Sequence, residues 1–325
     1  MAKRGGLVVN ITTKKKSSSK LGIYNPKEIL FYSIFIAIPV IHFLVFYVYI
    51  NFNSIVLAFQ KYALGADGYV ASSAGWQNFK TAWMHSFGSP EGIVQLKNSL
   101  KLFAIMTFGV TPLALFFSYY LYKKAAFSGF FKVILFMPQL LSGVVLGVLF
   151  KEIANGVYIK TLGGEGATGL LTNIDTKFGA VIFFNIIMSF GVNVLTYTST
   201  MGGINESLIE SAQLDGANAL EEFFYIVFPM IYPTVTTLMI VGFSHIFTNQ
   251  YNLYTLFGQS GNEVSTIGYY LYVQAQSSAL SQSEISDMYL CYPVLSAMGL
   301  IFTAIVLPLT LLLRSALEKY GPSAE

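Results

Sequence analysis

Residues 210–229 read ESAQLDGANALEEFFYIVFP, an acidic stretch without one Lys or Arg, set between two segments long and apolar enough for lipid. From Glu206 to Phe224 the pattern predicts helix: Asn205 stands at the capping position, Glu206 and Glu210 lie in the first turns where they suit the dipole, and Pro229 is expected to begin the next element. Gly216 interrupts it. A helix-interior Gly costs about 1 kcal/mol relative to Ala, so two short helices joined by a turn at Asp215-Gly216 are more economical than one rod. Leu208, Ala212, Leu214, Ala217, Leu220, Phe223 and Phe224 are then expected to cover the end of a helix bundle, with the carboxylates facing water or a partner. Such a helix-turn-helix between two spans is a mechanical lever; an amphipathic surface helix with no partner is the alternative.

The surrounding composition decides the class. Of 325 residues, 54% are hydrophobic and only 11% charged, against roughly 25% charged in soluble domains; mean hydropathy is +0.59. This is an integral membrane protein. The net charge of +3 is small and the basic residues gather between Lys3 and Lys27, which argues for an orientation signal and against a nucleic-acid surface. Cys291 is the only cysteine, which excludes an internal disulfide, and with three histidines little remains for a metal site, so none is expected. Residues 1–27 lack a signal-peptide core and are read as a retained Lys/Ser-rich tail, disordered by composition.

Six segments meet the requirement of about 20 apolar residues for a spanning helix, at about 28–50, 99–122, 131–151, 177–200, 229–250 and 286–314. The expected fold is therefore an all-α, six-span polytopic bundle occupying 28–325. The tail lysines, Lys123, Lys124 and Lys132 after span two, and Arg314 with Lys319 at the far end place both termini in the cytoplasm by the positive-inside rule. The connection at about 201–228, which contains the opening stretch, is then cytoplasmic as well. Residues 51–98, 152–176 and 251–283 become outer connections.

The chain here resembles a known family. Glu210, Ala212, Asp215, Gly216, Ala217, Phe223, Ile226, Pro229 and Pro233 reproduce the EAA loop of binding-protein-dependent ABC importer permeases, with Ser211 where Ala is usual and Phe228 where Leu is common. NSIVLAFQKY and GWQNFKTAW within residues 51–83, NSLKLF at Asn98 and TIGYYLY from Thr266 look like segments of the carbohydrate-uptake branch, similar to the maltose or glycerol-phosphate type of first permease subunit. The resemblance implies a coupling loop that docks in a groove on an ATPase subunit, with Phe223 anchoring apolar contacts and Glu210 a charged one. It implies as partners a second homologous permease, an ATPase dimer that holds ATP and Mg, an extracellular or periplasmic sugar-binding protein and the lipids of a bacterial-type cell membrane. No cofactor is expected on this chain.

Polar side chains within spans are candidates for the solute pathway because lipid makes them expensive. Asn185, Ser189 and Asn193 recur every four residues on span four, and Gly242, His245 and Asn249 follow spacings of three and four on span five. The competing reading is interhelical packing. Gly164, Gly166 and Gly169 have dinucleotide-fingerprint spacing without a preceding strand and are read as a flexible turn; there is no G-x-x-x-x-G-K-[ST], H-E-x-x-H or G-x-S-x-G. Pro39, Pro112 and Pro138 fall within spans one to three, where ordinary packing is expected to accommodate them and kinks in moving helices are the alternative. A transport subunit without chemistry of its own is the resulting expectation. An importer permease for glycerol phosphate or peptides, and a stand-alone channel or membrane enzyme, are the alternatives.

Overall fold

The computed structural model describes residues 26–65, 68–161, 168–280 and 285–322, with side chains described outside 26–29, 63–69 and 278–291. The tail up to residue 25 and the glycines 164 and 166 lie outside the described residues. The chain divides into two compact units, the first ending at Asn53 and the second beginning at Ser54.

The fold is an all-α polytopic bundle. Five helices among the described residues are long and apolar enough to cross a membrane: α1 (Leu30–Ala58), α3 (Pro90–Tyr122), α6 (Ile174–Met201), α8 (Ala219–Ser244) and the last, α11, whose apolar stretch covers Tyr292–Tyr320. Every described side chain of the first unit is exposed, as expected of an apolar helix facing lipid.

The expected third span, 131–151, is instead a broken one. Helix α4 (Ser128–Leu140) and helix α5 (Gly143–Thr161) meet at an angle of 99°, so the described chain has six spans only when this pair is counted as one. Pro138 removes a donor and tightens Met137–Leu140 into a 3-10 turn. Leu141 is extended, and Ser142 restarts the helix by accepting from the Val145 amide at 3.4 Å. Gln139 pins the break to α6 by donating to the Met188 carbonyl at 2.9 Å. Ordinary packing does not absorb this proline, contrary to the reading from sequence. Pro112 and Pro229 are absorbed, each just after a π-helical segment, Ile105–Val110 and Phe223–Val227.

Two smaller elements also depart from expectation. Residues 60–73, read as part of a polar connection, form an antiparallel hairpin of β1 (Gln60–Gly65) and β2 (Gly68–Ser73), with Tyr62 opposite Ala71. Helix α2 (Gln77–Trp83) follows, and Asn78 ties it back by donating to the Ala58 and Gln60 carbonyls at 2.9 and 2.7 Å.

The core of the second unit is layered. At one end α3, α6 and α8 pack around Leu121, Tyr197, Met201, Phe223 and Ile231, all buried. Ser118 of α3 donates to the Val194 carbonyl of α6 at 3.0 Å. At the other end Leu102, Val181, Phe184 and Leu256 are buried together. There helix α10 (Ile267–Leu280) meets the start of α3, and helix α9 (Leu253–Phe257) packs against α5. Asn98 donates to the Glu263 and Ser265 carbonyls at 3.2 and 3.0 Å, and Ser99 accepts from the Ile267 amide at 3.1 Å. The NSLKLF and TIGYYLY stretches, separate in sequence, are thus bonded to one another.

Candidate functional site

The loop between α6 and α8 is built by three successive capping devices. Asn205 accepts from the Ser207 amide at 3.1 Å and starts helix α7 (Glu206–Leu214), whose Ile209 and Ala212 face the core. The helix ends in a Schellman motif: the Ala217 amide donates to the Ala212 carbonyl at 2.9 Å and the Gly216 amide to the Gln213 carbonyl at 3.1 Å. Gly216 takes φ +86°, a left-handed conformation that any Cβ would strain. Asn218 then opens α8 with a capping box, accepting from the Leu220 and Glu221 amides at 3.0 Å while the Glu221 carboxylate accepts from the Asn218 amide at 2.8 Å. The spacing of Ala212, Asp215, Gly216 and Ala217 is the chemistry of a helix stop, and the expected turn at Asp215-Gly216 is present.

Two expectations about side chains are corrected. Phe223 does not point outward to a groove; it is 2% exposed, packed on Phe116 and Tyr119 with ring centroids at 5.1 Å. Its position directly after a two-residue acidic cap turns it inward at helical spacing with Val227 and Ile231. Of the residues expected to cover the bundle end, Leu208, Leu214, Leu220 and Phe224 are exposed, Leu214 at 89%. Only Ala212 and Phe223 are buried, with Ala217 half-buried. Glu206, Glu210, Asp215 and Glu221 are exposed, whereas Glu222 is buried.

Glu222 is the fastening that sequence reasoning missed. Its carboxylate accepts from Lys123 Nζ at 2.9 and 3.0 Å, from the Tyr119 hydroxyl at 3.0 Å and from Gln213 Nε2 at 3.0 Å. Lys123 and Tyr119 end α3, Gln213 belongs to α7, and Glu222 to the first turn of α8, so one buried carboxylate joins three helices. The Lys-Lys turn was legible as an orientation signal, but nothing in its spacing to Glu222, 99 residues on, announces the pair. Beside it Glu210, Gln213, Lys124 and Lys132 line a cleft of about 450 Å³.

The pathway candidates separate into satisfied and available groups. Asn185 is 5% exposed; it donates to the Val181 and Tyr251 carbonyls at 2.9 Å and accepts from Asn252 at 3.0 Å. It holds Tyr251 and Asn252 in left-handed backbone, with φ of 49° and 56°. Ser189 donates to the Asn185 carbonyl at 2.7 Å. Asn193 is half-buried and makes no side-chain hydrogen bond among the described residues. Helix α8 stops at Ser244, so Gly242, His245 and Asn249 do not share one helical face as expected. Gly242 is half-buried within α8; His245 and Asn249 are exposed in the turns beyond it. His245 bonds through Nδ1 to the Val241 carbonyl at 2.8 Å, and Asn249 Oδ1 accepts from the Tyr251 amide at 2.8 Å.

Residues 110–323, which span this loop and the helices on both sides of it, match the family of binding-protein-dependent transport system inner membrane components. The chain belongs to this family. The permease is 26% identical over 281 residues to the arabinooligosaccharides transport system permease protein AraP of Bacillus subtilis, covering 83% of this chain and 86% of that one. It is 25% identical over 249 residues to the lactose transport system permease protein LacF of Rhizobium radiobacter, covering 74% and 81%. A solved bacterial ABC transporter involved in import of the acidic polysaccharide alginate has a chain that superposes with a TM-score of 0.72 at 21% identity, covering 91% of the permease and 97% of that chain. The permease is thus a multi-pass membrane transport subunit.

Proposed function

We propose that this permease is one of two homologous membrane subunits of an ATP-driven carbohydrate importer in a bacterial cell membrane, with both termini in the cytoplasm. A sugar or oligosaccharide arrives on an extracellular binding protein and crosses by alternating access. ATP and Mg are held by an ATPase dimer that docks on residues 206–225. The observation that carries the reading is the construction of that loop: it is capped at three points, fastened by Glu222 to the end of α3, and presents Leu214, Leu220 and Tyr225, 63–89% exposed, beside the carboxylates Glu210, Asp215 and Glu221. A rigid element with apolar anchors and a charged rim suits an interface that transmits displacement. Closure of the ATPase biases the permease only in so far as these contacts differ in strength between its two states.

The carbohydrate assignment is supported by the names of the relatives and by the chemistry of the available side chains. Asn193, His245 and Asn249 offer amide and imidazole groups to hydroxyls, and no Lys or Arg occurs between Phe178 and Gln250 to meet a phosphate.

The test is a disulfide or bifunctional crosslink from Leu214→Cys, in a Cys291→Ser background, to a co-expressed ATPase with and without ATP. An ATP-sensitive crosslink is expected. Its absence in a stably inserted protein that still transports would refute the coupling role.

A further inference from the structure

We propose that the permease carries a saccharide subsite away from the Asn193–Asn249 candidates, in the cleft between residues 84–95 and residues 262–274. The cleft holds about 460 Å³, within the range of small-molecule sites. Two buried polar atoms without a hydrogen-bond partner, Gln95 Oε1 and His85 Nε2, belong to residues that line it. Gln95 is 6% exposed. Nearly all buried polar groups in folded proteins are paired, so two orphans on residues that line one cleft point to a ligand that supplies their partners once the side chains turn toward it.

The His85 side chain is held in place. The His85 ring stacks on Tyr270 with centroids at 4.5 Å and an interplanar angle of 21°. Its backbone is fixed by α3, because a Cβ at Gly92 would overlap the carbonyls of His85 and Ser86. Glu91 and Glu263 add carboxylates to the lining, and Glu263 is oriented by Lys177 at 3.0 Å. An amide oxygen, an imidazole nitrogen and carboxylates are hydroxyl-directed groups: one sugar hydroxyl donates to Gln95, another to Glu91, and a third exchanges a hydrogen bond with His85 in either ring tautomer. The inference rests on the carbohydrate reading above. On the proposed topology the cleft faces outward, where a sugar released by a binding protein would meet it before the spans.

The experiment uses the assembled transporter in nanodiscs without its binding protein, titrated with arabinotriose, maltotriose and trigalacturonate and followed by saturation-transfer NMR and thermal shift. At least one of these is expected to bind wild type, with Gln95→Leu and His85→Phe each weakening it tenfold or more. Without sugar, Gln95→Leu is expected to melt at the wild-type temperature or above, since it removes an orphan acceptor. Binding that both cleft variants leave within twofold of wild type would overturn the subsite, as would a Gln95→Leu protein that melts several degrees lower without sugar, the sign of a structural water on Oε1. Failure of all three sugars to bind wild type, with uptake of one of them intact when its binding protein is added, also overturns the subsite but leaves the carbohydrate reading standing. Failure of both binding and uptake removes that reading too.

Discussion

Replacing Lys123 by Met strips the buried Glu222 carboxylate of the one cation paired with it among the described residues. Removing one partner of a buried ion pair costs about 3–5 kcal/mol. Lys123 is 32% exposed along its side chain while Glu222 is 2% exposed, so water already screens part of the attraction, and Tyr119 and Gln213 keep two hydrogen bonds on the carboxylate. A cost of about 2–3 kcal/mol follows, or roughly a 30- to 140-fold increase in the open population at 1.4 kcal/mol per decade. That energy is local, because the pair fastens residues 206–222 to α3 and the spans keep their own packing. The assay is amide hydrogen exchange on the detergent-solubilised protein. Amides of α7 are expected to exchange about 30- to 140-fold faster in Lys123→Met, with those of α6 unchanged. Glu222→Gln is expected to cost less than half as much, since the freed lysine reaches water, and the double variant to lie near Glu222→Gln. Exchange within twofold of wild type in Lys123→Met would show that the carboxylate does not fasten the loop.

Gly216→Pro is expected to leave the protein inserted but to abolish uptake, because proline cannot take φ +86° and removes the amide that bonds Gln213; normal uptake would refute the coupling turn. Phe223→Ala is expected to lose about 3–4 kcal/mol and several degrees of melting temperature, whereas Leu214→Ala stays within about 0.5 kcal/mol and reduces ATP-driven uptake; equal thermal losses would place both side chains in the core. Asn185→Ala is expected to destabilise by about 1–3 kcal/mol through its lost and orphaned partners, while Asn249→Ala lowers sugar-stimulated turnover more than basal ATP hydrolysis; equal loss of both activities in Asn249→Ala points to packing. The hydrogen bond from Lys177 holds the Glu263 carboxyl below its ordinary 4.5, so this pair stabilises the fold above about that pH and the contribution disappears as pH falls through the lowered value. With Glu263 half-exposed the effect is under about 1 kcal/mol; melting curves of wild type and Glu263→Gln should differ slightly at neutral pH and converge once the pH falls below the lowered value.

The loop motif was legible because its devices are local. Asn205, Ala212, Asp215, Gly216 and Ala217 specify a cap and a helix stop within a dozen residues, and Asn218 with Glu221 carries the next cap at a spacing that could have been read in advance. The broken third span was half legible, in Pro138 followed by Ser142, yet its apolar composition looks the same for one straight helix as for two bent ones.

Sequence by itself determined the class of protein, the apolar segments and the position of the capped loop between α6 and α8, because hydropathy and helix capping act over one turn to one span. Tertiary structure alone decided which side chains of that loop face inward, that Lys123 closes on Glu222, that Asn185 is spent on holding Tyr251 and Asn252 while Asn193 is not, and that the residues of Gln95 and His85 line one cleft. Each of these depends on which faces of distant helices meet, and a residue's spacing along its own helix carries no record of the helix opposite.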